Sequence, residues 1–318
     1  MRIFFKINYI IIVCGFCMNC FAQDIHFSQY NTMSNFINPA YTGVSGGIQL
    51  TNNYRSQWAN IDGGFKTFCF SYSQYSKYIM GGIGLSYYYD KAGNNLTSNY
   101  TSLTYSPHFQ IADKLVIKPA LEFAYSTQSV DFGMLTFASQ YPYQSGGNST
   151  PNYPTGIQKI SFFDLSSGIL VYGKKFYGGF AARHLMRPNV SFLENNKGSL
   201  ERAYMFNVGL IIPTDSAQKL SVSPTILYTY QGSITTFLPG ITVKYKMIVV
   251  GVCYRVKDAV ILGLGCQRNK FKITYTYDNT ISSFSEANPG GAHEISLLLW
   301  LNYKNADEKK LFIKPIAF

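Results

Sequence analysis

The residues whose types could support catalysis or metal binding are few and poorly placed for either. The chain has four histidines: His26, His108, His184 and His293. His293 is followed by Glu294, but the second histidine of a zinc-binding helix is missing, and neighbouring residues of a strand point to opposite faces. No Gly-x-Ser-x-Gly motif marks a hydrolase nucleophile. The sequence therefore predicts a protein that is not an enzyme and that has no catalytic, cofactor-binding or metal site.

The glycine and cysteine motifs also fit packing better than chemistry. Residues 82–84 (GIG) and 263–265 (GLG) have the spacing of a phosphate loop, but a strand pattern surrounds each, so we interpret them as small residues packed in strands. Three of the six cysteines lie within the first 20 residues, and the other three lack the spacing of a zinc site. We interpret these three as small apolar residues in strands. A bridge between Cys253 and Cys266 is left open.

The first residues of the chain resemble an export signal. Two basic residues precede an apolar run at residues 7–16, which is much too short to span a membrane as a helix. Cys20 and Ala22 occupy the small-residue positions of a cleavage site, so residues 1–22 are predicted to be a cleaved signal peptide. A membrane anchor, or lipid attachment to Cys14 or Cys20, is the weaker alternative.

The rest of the chain consists of short segments in which apolar and polar residues alternate, which is the pattern of half-buried strands. Aromatic residues make up 16% and charged residues 14% of the chain, against about 25% charged residues in a typical soluble domain. In lipid only helices and closed barrels satisfy their backbone groups, and a tilted strand of about 9–11 residues crosses the bilayer. The sequence therefore predicts an all-β fold, a transmembrane up-and-down antiparallel β-barrel of about fourteen strands at residues 47–303. The predicted strands are 47–57, 65–75, 79–89, 97–109, 114–126, 161–172, 176–185, 202–212, 220–230, 235–245, 247–255, 259–267, 270–277 and 292–303.

The predicted connections sort by length. The long ones, at 127–160, 186–201 and 278–291, all follow odd-numbered strands and so share one end of the barrel. Outer-membrane barrels have long outer loops and short periplasmic turns, so we assign these three loops to the cell surface. The two chain ends lie outside the barrel wall. Residues 23–46 are expected either in the periplasm or as a plug in the lumen, and residues 304–318 are expected as a periplasmic tail.

The chain is basic, with a formal net charge of +11. A basic chain can bind nucleic acid, but no recognition-helix pattern or dense Lys/Arg cluster occurs, and an exported barrel would not meet a genome. We therefore predict no nucleic-acid partner. The charge is expected to favour anionic lipid headgroups of the outer membrane or an acidic partner.

Several motifs near the two ends of the chain resemble one family. Residues 23–30 (QDIHFSQY), 38–43 (NPAYTG) and 53–58 (NYRSQW) are similar to the start of PorP/SprF-family proteins. Residues 273–278 (ITYTYD), followed by 290–297 (GGAHEISL), are similar to that family's closing hairpin. The order and spacing match over essentially the whole mature chain. Two features depart from the pattern: Ala292 stands where a serine is common, and the last six residues match the usual basic tail only loosely.

The resemblance implies an outer-membrane barrel associated with the type IX secretion system of Bacteroidetes. Members of this family are tied to the secretion or surface attachment of particular cargo, often large adhesins, including those used in gliding motility. The implied partners are such a cargo protein, the periplasmic ring or motor components of the system, and outer-membrane lipid. The motif residues are the candidates for partner contact or barrel closure: His26, Phe27, Ser28, Gln29, Tyr30, Asn38, Pro39, Ala40, Gly43, Tyr54, Arg55, Gln57, Trp58, Tyr277, Asp278, His293 and Glu294.

Elementary chemistry adds expectations for some of these residues. Pro39 fixes its own φ and restricts the residue before it, which predicts a turn ahead of the first strand. The first and last strands of a closed barrel are neighbours, so Arg55 is expected to pair with a lumen carboxylate, either Glu294 or Asp278. Trp58 is expected in an aromatic girdle.

A barrel of about fourteen strands is wider than its own side chains can fill, so some plug is expected. Whether residues 23–46 only plug the lumen or also contact a partner is left open. The predicted function is a non-enzymatic accessory that assists secretion or surface anchoring. The alternative is a passive or substrate-selective porin, which would require an open lumen.

Overall fold

The wall of the molecule is one antiparallel sheet that closes on itself. The computed structural model describes residues 24–136, 155–193, 198–214, 219–281 and 290–301. The predicted signal peptide, most of the longest loop and the predicted tail at 304–318 lie outside these ranges. Within the described ranges the strands are β1 (Ile48–Gln57), β2 (Phe65–Ser76), β3 (Gly81–Ala92), β4 (Leu96–Pro107), β5 (Phe109–Ala112), β6 (Leu115–Asp131), β7 (Ile157–Tyr172), β8 (Phe176–Arg183), β9 (Ala203–Leu210), β10 (Ile212–Pro213), β11 (Leu220–Gln231), β12 (Ile234–Tyr245), β13 (Ile248–Arg255), β14 (Ala259–Gln267), β15 (Phe271–Thr280) and β16 (Ala292–Leu301).

Fourteen of these strands form the closed barrel, as the sequence predicted. Each pairs with its neighbours along the chain, β16 pairs with β1, and β9 pairs with β11 across the two-residue β10. The short β5 pairs only with β6. All fourteen predicted strands are present in the wall, with boundaries that shift by a few residues.

Three details differ from the sequence prediction. The segment predicted as one strand at 97–109 ends at Pro107, which has no backbone N–H for the ladder, and β5 follows after His108. Residues 111 and 112, predicted as a turn, therefore belong to β5. The predicted loop at 127–160 is shorter, because β6 continues to Asp131 and β7 begins at Ile157.

The strands alternate between an apolar outer face and a polar inner face. On β4 and β6, Leu103 and Leu121 are 63% and 59% exposed, whereas the inward-facing Ser102 and Glu122 are 1% and 3% exposed. Because side chains on a strand alternate between faces, this pattern repeats around the barrel. The outer surface is that of a wall in contact with lipid acyl chains.

The two ends of the barrel differ in their connections. Short turns such as the one between Tyr245 and Ile248 lie at one end, which we call the turn end. The connections after β6, β8 and β15 lie at the other, which we call the loop end; one short 3₁₀ helix, η2 (Phe132–Met134), is described in them. Outer-membrane barrels place long loops outside, so the loop end is the end that the sequence predicts at the cell surface.

Residues 24–47 lie inside the barrel, and we call them the lumen segment. They contain a short helix, α1 (Ser34–Ile37), and a 3₁₀ helix, η1 (Pro39–Tyr41), and every residue from 27 to 47 is buried. The segment begins at the loop end, where Asp24 contacts His184, and ends at the turn end, where the Gly43 N–H donates to Ser73 Oγ at 2.7 Å. The described chain thus runs down the lumen before it enters β1.

The described residues also settle three smaller points. No helix in these ranges is long and apolar enough to span a membrane. In the same ranges no group of three or more His, Cys, Asp or Glu side chains could hold a metal ion. Cys69, Cys253 and Cys266 are free, so the bridge left open between the last two is not formed.

Candidate functional site

A buried cluster of charged residues lies where the first and last strands meet. Arg55 on β1 points into the lumen, with NH2 3.1 Å from Asp278 Oδ2 and NH1 3.0 Å from Glu294 Oε2. Its side chain is 4% exposed, and those of the two carboxylates are 3% and 0% exposed. Arg55 is directly opposite Glu294 in the ladder between β1 and β16, so closure of the barrel itself creates the pair.

Arg255 adds a second cation, which sequence reasoning missed. Its NH2 lies 3.1 Å from Asp278 Oδ2, and its NH1 lies 3.0 Å from Asp258 Oδ2. The Arg255–Asp258 spacing across the tight turn after β13 was the signal available in the sequence. Two arginines and two buried carboxylates therefore neutralise one another, as buried charges require.

The lumen segment is bound directly to these charges. The Ser28 N–H donates to Glu294 Oε2 at 2.9 Å, and Ser28 Oγ donates to Asp278 Oδ2 at 2.6 Å while accepting from Arg55 NH1 at 2.6 Å. The Gln29 amide donates to the Glu294 carbonyl at 2.9 Å and accepts from Ser296. We call Ser28, Gln29, Arg55, Arg255, Asp278 and Glu294 the seam cluster. It joins the two groups of family-like motifs, which are more than 220 residues apart in sequence.

A second cluster holds the start of the lumen segment at the loop end. His184 Nε2 lies 2.8 Å from Asp24 Oδ2, and its Nδ1 lies 2.5 Å from Asp164 Oδ2. Arg183 NH1 lies 3.8 Å from the same Asp24 oxygen. We call Asp24, Asp164, Arg183 and His184 the His184 cluster. None of its members was among the residues predicted from the sequence, although Asp24 lies within one of the motifs.

The charge state of His184 follows from its neighbours, and it lies just beyond the end of β8. Burial alone would lower its pKa, but the Asp24 and Asp164 carboxylates outweigh burial and raise the pKa from 6.5 to about 9. His184 is therefore an imidazolium at neutral pH, shared between two carboxylates. Because both ring nitrogens contact carboxylates, neither is available as a general base.

The middle of the lumen segment is fitted closely to the wall. Asn38 donates to the carbonyls of Ile169 and Phe180 at 3.0 and 3.3 Å and accepts from the Ala40 N–H at 2.9 Å. A Cβ on Gly168 would lie 2.1 Å from the Asn38 side-chain oxygen, so only glycine leaves room for it. The turn predicted at Asn38 and Pro39 is present as the start of η1.

Other predicted residues of the lumen segment also face the wall or the segment itself. The Tyr30 hydroxyl lies 2.6 Å from Thr225 Oγ1, and the ring of Phe27 lies 5.7 Å from that of Phe36. Gly43 has a φ of +76°, in the left-handed region that favours glycine. These residues therefore have a structural role: each helps to fill the lumen or to hold the lumen segment in place.

The remaining predicted residues lie outside the seam cluster. Tyr54, Tyr277 and His293 face outward; Tyr54 is 44% exposed, and the Tyr275 hydroxyl lies 2.7 Å from His293 Nδ1. Gln57 accepts from Arg55 NH2 at 3.3 Å. Trp58 packs on the inward-facing Phe65, with ring centroids 4.9 Å apart. The girdle prediction for Trp58 is therefore wrong, because its positive φ of 58° turns the chain over the lumen instead of towards lipid.

Above the seam cluster, the described residues leave a recess at the loop end of the lumen, and we call this recess the mouth. It contains two adjoining cavities of about 430 and 200 Å³, which share Arg55, Gln57 and Trp58 in their walls. The larger one is also lined by His26 and Asp90, and the smaller by residues of the β13–β14 and β15–β16 ends. The mouth is thus a recess lined by charged, polar and aromatic side chains, and its floor is the lumen segment.

Within the described residues, the carboxylates of the seam cluster and of the His184 cluster are paired with the arginines and the histidine beside them, so neither cluster offers a free general base. The chemistry that the site supports is recognition by hydrogen bonds and charge at the mouth, above a closed lumen.

Comparison with known proteins places the chain in a family. The family model for the type IX secretion system membrane protein PorP/SprF matches residues 19–299. Among solved structures, the outer membrane protein Omp33 of Acinetobacter baumannii is similar at 6% identity, with 80% of this chain and 98% of that chain covered and a TM-score of 0.46. The toluene transporter TodX of P. putida is similar at 9% identity, with 83% and 92% covered and a TM-score of 0.47. No curated protein matches in sequence. The chain belongs to the PorP/SprF family of type IX secretion system membrane proteins.

Proposed function

We propose that this protein is a non-enzymatic accessory of type IX secretion in the outer membrane, where it assists the secretion or surface anchoring of a specific cargo. The cargo we propose is a large surface adhesin of the kind used in gliding by Bacteroidetes. Residues 1–22 would serve as the signal peptide that exports the chain. The family membership supports the secretion role, and the geometry of the lumen supports the accessory role.

One observation carries the proposal: the described chain fills the lumen but leaves a recess at the mouth. The lumen segment is buried from residue 27 to residue 47 and is tied to the wall by the seam cluster. A solute pathway requires an open lumen, whereas a docking site requires a recess at the surface. The mouth at the loop end, lined by both charged and aromatic side chains, offers such a recess, and we propose it as the place where cargo docks.

The turn end supports contact with the periplasmic ring or motor components of the system. Each described turn there carries at least one exposed Lys or Arg, and Asp113 is the one carboxylate among their described residues. A ring of like charge attracts a partner of opposite charge. We therefore propose an acidic periplasmic partner at these residues: Lys77, Lys114, Lys174, Lys175, Lys219, Lys246, Arg268 and Lys270.

Deletion of the gene tests the proposal. We expect at least one large type IX cargo to disappear from the cell surface, as measured by surface proteomics of intact cells. Complementation with the wild-type gene is expected to restore this cargo to the cell surface. Complementation with a variant altered only in the mouth is expected to restore the barrel to the outer membrane but not the cargo to the cell surface. Unchanged display of every type IX substrate in the deletion strain contradicts the proposal.

A further inference from the structure

Two lysines on the outer face of the barrel lie directly opposite each other on neighbouring strands. Lys66 on β2 is directly opposite Lys91 on β3, and both side chains point away from the lumen. Like charges in a directly opposed pair destabilise a sheet. Within the described residues no carboxylate lies within ion-pair distance of either lysine. The pair therefore concentrates positive charge that this part of the chain does not neutralise.

The lysines form part of the wall of a cavity at the loop end. The cavity has a volume of about 330 Å³ and lies between the turn at 58–64 and the turn at 93–95. Ser56 is directly opposite Lys66 in the ladder and lines the same cavity. Asp62 also lines it, so the two lysines leave an excess of one positive charge. Glycines with positive φ in both turns, Gly63 and Gly93, let the two turns approach each other.

The position of the lysines on the wall indicates what kind of anion fits. Directly below them, towards the bilayer, Phe68 is opposite Tyr89, and these outward side chains are 41% and 37% exposed. The next outward pair is Phe70 and Tyr87. An apolar stripe thus runs from the lysine pair into the membrane. A ligand that satisfies both features has a negatively charged head and acyl chains.

We propose that Lys66 and Lys91 bind the phosphate of an outer-leaflet lipid. The phosphate lies between the two ammonium groups, with the Ser56 hydroxyl as a further donor, and the acyl chains lie along Phe68 and Tyr89. Charge-assisted hydrogen bonds from two ammonium groups to one phosphate are among the stronger polar contacts in proteins. The lipid supplies the negative charge that the opposed lysines lack, so the site is complete only in the membrane.

Lipid binding to the purified full chain tests this site. Delipidated protein in neutral detergent is titrated with dimyristoyl phosphatidic acid, and separately with dimyristoylglycerol, which has the same chains without the phosphate. Bound lipid is measured by native mass spectrometry. The variant K66Q/K91Q removes the lysine pair. The matched control K174Q/K175Q removes two exposed lysines at the turn end and makes the same change in net charge.

The wild type is expected to bind the phosphatidic acid more tightly than the glycerolipid. K66Q/K91Q is expected to lose about tenfold in affinity for phosphatidic acid, equivalent to the loss of one good charged contact, and the control variant is expected to bind as the wild type does. Equal affinity in K66Q/K91Q and wild type overturns the proposal, as does an equal loss in both variants. Complete displacement of the lipid by excess inorganic phosphate also overturns it, because the site would then bind free phosphate.

Discussion

The filled part of the lumen and the mouth above it both contain charged side chains, but these side chains make different contacts in the two regions. In the filled part Arg55, Asp278 and Glu294 are paired with one another and with the backbone of the lumen segment. A few ångströms higher, Arg55 and Arg255 also face cavities that the described chain leaves empty. Asp278 and Glu294 are enclosed by these contacts, whereas Arg55 and Arg255 lie at the boundary between the filled lumen and the mouth. One barrel thus combines a lumen filled by its own chain with a recess at which we propose that cargo docks.

The largest loss in the free energy of unfolding is expected from removing the carboxylate at the centre of the filled part of the lumen. Glu294 accepts from the Ser28 N–H, from Arg55 and from Asn53, the last at 2.8 Å. Glu294→Gln leaves Arg55 with an incomplete partner set, and breaking a buried pair in this way costs about 3–5 kcal/mol. The measurement is the free energy of unfolding in urea, in detergent or in vesicles.

The control for this variant is the exposed pair at the loop end. Arg187 NH2 lies 2.5 Å from Glu201 Oε1, with side chains 42% and 29% exposed. Glu201→Gln makes the same chemical change where solvent screens the charge, so it is expected to cost less than about 1 kcal/mol. Equal costs for the two variants would show that the filled part has no special role.

A pH effect is expected where the lumen segment begins. The pKa of His184 is raised to about 9, because Asp24 and Asp164 favour its charged form more than burial opposes it. A raised pKa in the folded state gives stabilisation that is complete below pH 6.5 and is lost as the pH rises through 9. We expect the advantage of the wild type over His184→Gln to fall by about 3 kcal/mol between pH 6 and pH 10.

Unfolding free energies of both proteins across this pH range provide the test. His293→Gln, which removes an outward-facing histidine, is the control and is expected to give a difference that does not follow the same curve. An advantage of the wild type that grows with pH would contradict the assignment of an imidazolium to His184.

A smaller loss in the free energy of unfolding is expected from a substitution at the turn end of the filled part of the lumen. Gly43 has a φ of +76°, and a Cβ there would lie 2.6 Å from Gly82 Cα. Gly43→Ala therefore combines an unfavourable backbone conformation with a clash against β3. Gly156 has a φ of +69° but open space within 4 Å, so Gly156→Ala isolates the backbone cost. We expect Gly43→Ala to cost about 1–2 kcal/mol more than its control, as overpacking does.

The smallest effect on stability is expected at the mouth. His26 lines the larger cavity of the mouth and is only partly buried. His26→Ala is expected to change the free energy of unfolding by less than about 1 kcal/mol and to reduce cargo at the cell surface, as measured by surface labelling. Normal cargo display with this variant and with other variants of the mouth would count against docking there.

The sequence could predict the wall but only part of what lies inside it. Alternation along segments such as β15 and β11 identifies strands, because a wall strand faces lipid on one side and polar lumen on the other. The pairing of Arg55 with Glu294 and Asp278 follows from closure, since the first and last strands of a barrel are neighbours. That contact needed no knowledge of register beyond the order of strands.

The path of the lumen segment could not be predicted in the same way. Its contacts with His184 and Arg183 depend on which inward side chains reach the barrel axis at one height, and that depends on the register and tilt of many strands together. The place of Arg255 in the seam cluster could not be predicted for the same reason, because its contact with Asp278 depends on the register of several strands. Trp58 was misplaced because one residue with positive φ reverses the direction expected from strand alternation.

The conductance of the intact protein in a planar bilayer tests the closed lumen most directly. We expect no steady conductance from the full mature chain, and steady conductance after deletion of residues 24–47, which exposes the charged inner wall. Steady, ohmic conductance from the intact chain, equal to that of the deletion variant, would contradict the account and would favour a porin.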